Sequence, residues 1–251
     1  MAWTLKVFKT FRVCIVVQSD RPTSRKVQWL LRYPMKRSAS KLPAMVFDFG
    51  GVLMDWNPRY LYRKLFDGDA GAMERFLEEV DFAGWNLQQD RGRPFAEAVA
   101  ELTGRFPHYA DLIRAYDERW DESVGGPIQP TVDILEMLRK DSYPLYGLSN
   151  WSAEKFPIVR ARYEFLTWFE GVLVSGEAGM AKPDPSIYTL FLERIGRAAE
   201  ECLFIDDSQA NVAVARRLGF QTIRYQSAAQ LEEELVRLGL LSRNGRSGKA
   251  S

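Results

Sequence analysis

The sequence predicts an α/β protein whose core is a doubly wound parallel sheet, Rossmann-like and three-layered, with an inserted helical cap. Short apolar runs alternate with amphipathic helical segments, a pattern typical of parallel strands joined by right-handed crossovers. Between the first two predicted strands, residues 57–124 show only helical periodicity, interrupted by glycine and proline. We therefore expect residues 44–56 and 125–241 to form the core and residues 57–124 to form the cap.

Five short apolar runs are the predicted strands of the core sheet: residues 45–47, 144–150, 171–175, 202–207 and 221–225. Four amphipathic segments are the predicted core helices: residues 131–140, 185–195, 208–218 and 231–241. Gly219 is expected to end the third of these helices in the left-handed conformation. The cap is expected to contain about four helices and to close over the substrate. Within it, we expect Trp56 and Trp85 to pack the cap's own core.

Composition and charge argue against several classes of function. Of the 251 residues, 46% are hydrophobic and 13% aromatic, as in a globular protein with a sizeable core. The formal net charge is +1, but Lys and Arg are concentrated in residues 1–43, so the remainder is acidic and does not favour nucleic-acid binding. No apolar run approaches the roughly 20 residues of a membrane span. With only Cys14 and Cys202, we expect a reducing, cytoplasmic compartment.

Both ends of the chain are expected to lie outside the fold. Residues 1–43 form a basic extension that we predict to be poorly ordered, although its apolar run at residues 13–17 could form a strand. An upstream start codon would account for such an extension, with Met35 or Met45 as the working start. The alternatives are a transit peptide and a nucleic-acid-binding arm. Residues 242–251 are predicted to be a disordered tail.

Polar side chains follow three of the predicted strands. Asp48 ends the first strand, Ser149 and Asn150 end the second, and Asp206 and Asp207 end the fourth. In a parallel sheet these ends share one edge, where open α/β sheets bind their ligands. Carboxylates gathered there repel one another unless a cation joins them, and Mg²⁺ suits a site of few carboxylates, water and phosphate. Each residue alone could instead cap a helix or a turn, but their common edge favours a site.

Lys182 stands before the predicted helix at residues 185–195 and can reach the same edge. There its charge would neutralise a carboxylate and hold an anionic substrate. The alternative is a surface lysine that precedes Pro183.

Four segments in chain order resemble motifs one to four of the haloacid dehalogenase-like superfamily: Asp48-Phe-Gly-Gly-Val-Leu, Leu148-Ser-Asn150, Lys182-Pro183 with Tyr188, and Phe204-Ile-Asp-Asp-Ser208 with Asn211. The helical segment after the first motif resembles the C1-type cap of the phosphatase and dehalogenase branch, in particular its sugar-phosphatase-like members. The resemblance covers about residues 44–241.

The resemblance implies a chemistry for the first and fourth motifs. Asp48 matches the nucleophile, which would form an aspartyl-phosphate that water then hydrolyses. Asp48 and the main-chain carbonyl of Gly50 match ligands of Mg²⁺. Asp207, with Asp206 beside it, matches the carboxylate ligand, acting directly or through water.

The resemblance also implies how the phosphate is held. Ser149 and the main-chain amide of Asn150 match groups that bind the phosphoryl oxygens. Lys182 matches the base that balances the charge on nucleophile and phosphate. Gly51 is placed with these three residues in the predicted substrate site.

One departure from the family pattern concerns proton transfer. Family phosphatases usually carry a second Asp two residues after the nucleophile, as acid and base, where this chain has Gly50. A missing acid/base costs about 10²–10⁴ in rate. Three explanations stay open: a good leaving group such as a sugar 1-phosphate or acyl phosphate, a substitute such as Asp55 or Asp90, or a slow or inert protein. Some C1-capped sugar-phosphatase-like members share a small residue there, which is compatible with activity.

We predict a Mg²⁺-dependent phosphomonoester hydrolase, monomeric or homodimeric, that acts on a small phosphometabolite such as a sugar phosphate. The alternatives are a metal-free 2-haloacid dehalogenase and a non-catalytic phosphate-ligand-binding protein of the same fold. The adjacent Asp206 and Asp207 argue against the dehalogenase, which needs no metal. The missing carboxylate at position 50 is the only support for a non-catalytic protein.

Overall fold

The computed structural model describes Met35 and residues 40–242. Contacts divide the chain into two units, Met1–Arg32 and Tyr33–Ser251, and every described residue belongs to the second. Most of the predicted extension, with its apolar run at residues 13–17, lies outside the described residues, as does the tail from residue 243.

The described residues form seven strands: β1 (Ala44–Phe47), β2 (Met54–Trp56), β3 (Val124–Pro127), β4 (Leu145–Ser149), β5 (Gly171–Val174), β6 (Cys202–Asp206) and β7 (Gln221–Arg224). Five of them form one parallel sheet in the order β5-β4-β1-β6-β7. β2 and β3 form a separate antiparallel pair. The predicted α/β class with a parallel sheet is confirmed, and each predicted core strand matches an observed one within two residues.

β1 lies at the centre of the sheet between β4 and β6. Met45 pairs with Leu145 on one side and with Leu203 on the other. Every residue of β1 is buried, because helices or loops cover both faces of the sheet. Burial on both faces explains why the strand reads as a continuous apolar run rather than an alternating one.

The described part of the chain contains eleven α-helices: α1 (Arg59–Leu65), α2 (Ala70–Glu79), α3 (Phe82–Asp90), α4 (Phe95–Arg105), α5 (Ala110–Glu118), α6 (Gln129–Lys140), α7 (Phe156–Arg162), α8 (Ser175–Ala178), α9 (Pro185–Ile195), α10 (Gln209–Arg217) and α11 (Ala228–Arg237). None of them is long and apolar enough to cross a lipid bilayer.

α11 begins three residues before the predicted helix and ends four residues earlier. Its start is set by Ser227, whose hydroxyl accepts a hydrogen bond from the main-chain N–H of Gln230. Gly239, with a φ of 73°, follows its end. The helical spacing of apolar residues therefore continues to Leu241, beyond the end of the observed helix.

Residues 57–124, which we call the helical insert, contain five α-helices rather than the predicted four. The additional break lies at Asp81, where no glycine or proline marks it. Asp81 adopts the left-handed conformation with a φ of 46°, and its carboxylate accepts a hydrogen bond from Gly84 N. Asp tolerates this conformation better than most residues and caps helices well, so one residue ends α2 and starts α3.

β2 and β3 stand at the two ends of the helical insert and were not predicted as strands. Asp55 of β2 pairs with Gly126 of β3, and the hydroxyl of Tyr60 donates to Asp55 Oδ2 at 2.7 Å. Two consecutive glycines give β3 no strand-like side-chain pattern. Only the pairing of distant segments, some 70 residues apart, reveals it.

Phe49 fixes the loop that follows β1. Its ring stacks on Phe156 with centroids 5.7 Å apart and meets Phe169 edge-on at 5.3 Å. A Cβ added to Gly147 of β4 would lie 2.4 Å from Phe49 Cζ, so the ring lies directly against the bare backbone. This packing anchors the turn immediately after Asp48.

Candidate active site

Asp48 directly follows β1 and lies at the carboxyl edge of the sheet. Its main-chain N–H donates to Ile205 O at 2.9 Å, which continues the pairing of β1 with β6. Its Oδ1 accepts hydrogen bonds from Phe49 N at 2.7 Å and from the Ser149 hydroxyl at 2.6 Å. The carboxylate is held in place, and the residue is only 7% exposed.

Lys182 is buried in the same cluster and is 1% exposed. Its Nζ lies 2.9 Å from Asp48 Oδ2 and 2.6 Å from Asp206 Oδ2, and it donates to Leu148 O at 2.8 Å. These three acceptors match the three N–H bonds of an ammonium group. The alternative of a surface lysine is therefore wrong.

Asn150 holds the main chain of Lys182. Its side-chain amide donates to Lys182 O at 2.9 Å and accepts from Lys182 N at 2.8 Å. This reciprocal pair joins the end of β4 to the segment before α9. Ser149, at the end of β4, is fully buried against Asp48.

Asp206 is fully buried at the end of β6 and accepts hydrogen bonds on both oxygens. Oδ1 accepts from Ser208 N at 2.8 Å and from Asn211 Nδ2 at 3.0 Å, and Oδ2 accepts from Lys182 Nζ. Asp207, the next residue, is exposed. Of these two consecutive residues, one is buried with hydrogen bonds on both carboxylate oxygens and the other is exposed.

The glycines after Asp48 allow a close approach of the backbone. Gly51 has a φ of 74°, and a Cβ there would lie 2.7 Å from Asp207 Oδ2. A side chain at position 51 would be strained and would displace this carboxylate. Gly50 has no such restriction, and its nearest neighbour for an added Cβ is Trp151 at 4.0 Å.

Opposing charges set the protonation of the cluster. Burial raises the pKa of Asp48, as does the charge of Asp206, while Lys182 opposes both, with a net value of about 7. Burial acts to lower the pKa of the Lys182 ammonium, but Asp206 and Asp48 outweigh it and raise that pKa. Lys182 is therefore charged at neutral pH, and a further cation would keep Asp48 ionised.

The donor set fits a magnesium ion. Asp48, Asp206 and Asp207 each offer an oxygen atom, and these atoms lie within 4.8 Å of one another. Carboxylate oxygens are hard ligands of the kind that Mg²⁺ binds. Lys182 neutralises part of the negative charge of the three carboxylates, which leaves a charge that a divalent ion can balance.

A cavity of about 60 Å³ lies beside this cluster, between the sheet edge and the helical insert. Gly50, Asn150 and Trp151 line it from the sheet side. The insert contributes most of the other wall residues: Asn86, Asp90, Phe95, Tyr116 and Trp120. Of these wall residues, only Asp90 is a candidate site residue in the sequence, because a cavity between distant segments leaves no local pattern.

The two tryptophans assigned to the core of the insert differ in position. Trp85 is buried and its indole N–H donates to Ala98 O at 3.1 Å, in agreement with that expectation. Trp56 is half-buried, packs against the hydrophobic core and also lines the cavity. Trp56 is the last residue of β2, and the pairing of this unpredicted strand with β3 positions it at the site.

The loop after Asn150 binds the helical insert. Glu154 Oε1 accepts a hydrogen bond from Phe95 N, the first residue of α4, at 3.0 Å. The adjacent Lys155 pairs with Asp117 of α5, and its Nζ lies 4.4 Å from the centroid of the Phe95 ring. The second motif ends at Asn150, so the sequence did not predict these contacts of Glu154 and Lys155.

The chain belongs to the haloacid dehalogenase-like hydrolase family, whose model matches residues 42–219. It is therefore an enzyme of that family, as the motifs predicted. The carboxylates, lysine and serine that the motifs singled out lie together at one edge of the sheet.

Two relatives and one solved structure illustrate the similarity. The chain is 25% identical over 190 residues to a phosphorylated carbohydrates phosphatase of Thermotoga maritima. The matched region covers 72% of this chain and 84% of that protein. It is 30% identical over 200 residues to the drimenol cyclase drtB of Aspergillus calidoustus. That match covers 78% of this chain but only 36% of the relative. A magnesium complex of a HAD family enzyme from Bacteroides thetaiotaomicron superposes with a TM-score of 0.61 at 27% identity, covering 79% of this chain and 100% of that chain.

Proposed function

We propose that the protein is a magnesium-dependent phosphomonoester hydrolase that acts on a small phosphometabolite, such as a sugar phosphate, through an aspartyl-phosphate intermediate. The observation that carries this proposal is the position of Asp48 at the centre of the sheet edge, bonded to Ser149 and Lys182 and close to two further carboxylates. The phosphorylated carbohydrates phosphatase of Thermotoga maritima and the magnesium complex from Bacteroides thetaiotaomicron support the same assignment.

In the first step one oxygen of Asp48 attacks the phosphorus, and the bond from phosphorus to the ester oxygen breaks. In the second step water attacks the aspartyl-phosphate, which releases inorganic phosphate and restores the Asp48 carboxylate. The hydrogen bond from Phe49 N holds the nucleophile in one orientation, and before substrate binds the Ser149 hydroxyl donates to the same oxygen. Positioning and charge stabilisation supply most of the acceleration in such transfers.

The proposed ligands of the magnesium ion are Asp48, the carbonyl of Gly50, Asp206 and Asp207. When bound, the ion supplies positive charge that stabilises the charge developing on the phosphoryl oxygens. Asp206 already accepts bonds from Ser208 N, Asn211 and Lys182, which favours contact through water. Asp207 is exposed and free to bind directly.

The proposed groups that hold the phosphoryl oxygens are the Ser149 hydroxyl, the main-chain amide of Asn150 and the positive charge of Lys182. The ammonium of Lys182 also balances the charge of Asp48. Gly51 belongs to the same proposed substrate site, and a side chain there would displace the Asp207 carboxylate.

Three further parts of the proposal concern the whole molecule. Residues 44–56 and 125–241 act as the catalytic core, and the helical insert acts as the cap that excludes water and selects the substrate. The protein is proposed to be cytoplasmic, in keeping with its few cysteines. It acts on a small molecule, not on nucleic acid or a membrane, and is a monomer or homodimer.

The test is release of inorganic phosphate from p-nitrophenyl phosphate and a panel of sugar phosphates, with Mg²⁺ or with excess chelator. We expect turnover with Mg²⁺ and a loss of turnover with chelator. Chloride release from 2-chloropropionate is measured in parallel. Chloride release without phosphate release would establish the dehalogenase instead, and phosphate binding without any turnover would establish a non-catalytic protein.

Magnesium is expected to raise the melting temperature more at pH 8 than at pH 6. Burial raises the pKa of Asp48 to about 7 in the metal-free protein, so below this pH the carboxyl holds a proton that metal binding must displace. Above it the carboxylate is already ionised, and its unfavourable burial is offset by the ion. Thermal unfolding at fixed Mg²⁺ measures this shift, with KCl of equal ionic strength as control. A shift that falls as the pH rises contradicts the role of Asp48.

A further inference from the structure

Position 50 lacks the carboxylate that family phosphatases usually place there, yet the space for one is present. A Cβ on Gly50 would have Trp151 at 4.0 Å as its nearest neighbour, and the residue lines the cavity beside Asp48. A proton donor for the leaving oxygen therefore has to reach this cavity from elsewhere in the chain.

We propose that Asp90, which the helical insert supplies, is the general acid and base of the reaction in place of the missing carboxylate at position 50. The proposal rests on the phosphoryl-transfer function proposed above. Asp90 is the last residue of α3 and lines the same cavity as Gly50 and Asn150. It therefore faces the place that a leaving group would occupy.

Two hydrogen bonds orient the Asp90 carboxyl. The hydroxyl of Tyr116 donates to Asn86 Oδ1 at 2.9 Å, which turns the amide NH₂ of Asn86 towards Asp90. Asn86 Nδ2 then donates to Asp90 Oδ2 at 3.2 Å. Among the described residues, no donor is within hydrogen-bond distance of Asp90 Oδ1, which leaves this oxygen available to carry the transferable proton.

The surroundings of Asp90 support a neutral carboxyl before the reaction. Removal from water, and then the negative charge of nearby Asp48, raise the pKa of Asp90 to about 7. Efficient acid–base catalysts have pKa values near the working pH, because they must both hold and release a proton. The absence of a salt bridge to Asp90 within residues 40–242 agrees with this state.

The other acid weighed for this role, Asp55, is committed elsewhere. Its Oδ2 accepts a hydrogen bond from the Tyr60 hydroxyl at 2.7 Å, and a Cβ on Gly125 would lie 2.6 Å from the same oxygen. Asp55 thus packs inside the β2–β3 pair at the base of the insert and does not line the cavity.

The proton balance of the two steps is complete. While Asp48 attacks phosphorus and the ester bond breaks, the proton on the Asp90 carboxyl passes to the leaving oxygen, which departs as an alcohol. Asp90 is now a carboxylate. In the second step it removes a proton from the water that attacks the aspartyl-phosphate, and Asp90 returns to its neutral form as phosphate leaves.

The test compares leaving groups in the variant Asp90→Asn, which keeps the shape of the side chain. For an alkyl phosphate, whose leaving group needs a proton, we expect kcat/KM, which reports only the first step, to fall by about 10²–10⁴. For p-nitrophenyl phosphate, whose leaving group departs as an anion, the fall in kcat/KM should stay below about 10-fold. A plot of log kcat/KM against leaving-group pKa should therefore become steeper in Asp90→Asn.

Gly50→Asp in the Asp90→Asn background places a carboxylate at the usual family position, where there is space for a side chain. This double variant should regain part of the turnover of the alkyl phosphate. Asp55→Asn is the matched control and should leave the slope unchanged. Equal losses of kcat/KM for both substrates, and so an unchanged slope, would show a structural role for Asp90. A loss confined to phosphoethanolamine would make it the partner of a cationic leaving group. If the wild-type protein releases no phosphate from any ester, the proposed function fails and this assignment fails with it, whereas turnover with an unchanged slope in Asp90→Asn contradicts the assignment alone.

Discussion

Asp48→Asn is expected to lower kcat for any phosphate ester by about 10⁴-fold or more, since an amide cannot form the covalent intermediate. The protein should remain folded. The amide oxygen can still accept the hydrogen bonds from Phe49 N and Ser149. Lys182 keeps its contacts with Asp206 and with Leu148 O. Initial rates of phosphate release, together with thermal unfolding of the same preparation, measure the two effects separately.

Asp133→Asn is the matched control for this substitution. Asp133 lies on α6, is exposed and accepts a hydrogen bond only from Gln129 among the described residues. Its substitution should leave the rate of phosphate release unchanged. Turnover by Asp48→Asn above about a hundredth of the wild-type rate would rule out Asp48 as the nucleophile.

Lys182→Met should destabilise the metal-free protein by about 3–5 kcal/mol, the range found when one partner of a buried ion pair is removed. Asp48 and Asp206 would then face each other with no cation between them. Phosphatase activity should fall as well, because the substrate loses a positive charge at its binding site. Urea unfolding measured at pH 5 and pH 8 gives the free energy of unfolding.

The destabilisation by Lys182→Met should be larger at pH 8 than at pH 5. Without the lysine, the folded-state pKa of Asp48, which burial already raises, rises further above its unfolded value. Ionised carboxylates therefore destabilise the fold increasingly as the pH rises above about 4. Mg²⁺ should restore part of the loss, since it binds the same carboxylates.

Lys64→Met is the control for a lysine in an exposed ion pair. Lys64 pairs with Glu122 at 2.8 Å, but its side chain is 58% exposed. Its substitution should change stability by no more than about 1 kcal/mol. If Lys182→Met behaves like this control at pH 8, the three-membered buried cluster is not a feature of the protein in solution.

The sequence by itself determined the parallel sheet and the edge that carries the site. β1 is a run of apolar residues because both faces of a central parallel strand are buried, and such runs are visible without any partner. The parallel topology then brings the ends of β1, β4 and β6 to one edge. For this reason Asp48, Ser149 and Asp206 could be assigned to one site from their order alone.

Only the tertiary structure decided how the helical insert joins this site. The β2–β3 pair depends on contacts between distant segments, as do the contacts of Glu154 and Lys155 with the insert. The additional helix break depends on the conformation of one residue, Asp81. Hydrophobic periodicity reports a residue's burial relative to its own element, not the partner that buries it. Both Asp55 and Asp90 therefore stayed open as candidates in the sequence. The fold separates them because it packs Asp55 against Tyr60 and turns Asp90 into the cavity beside Gly50.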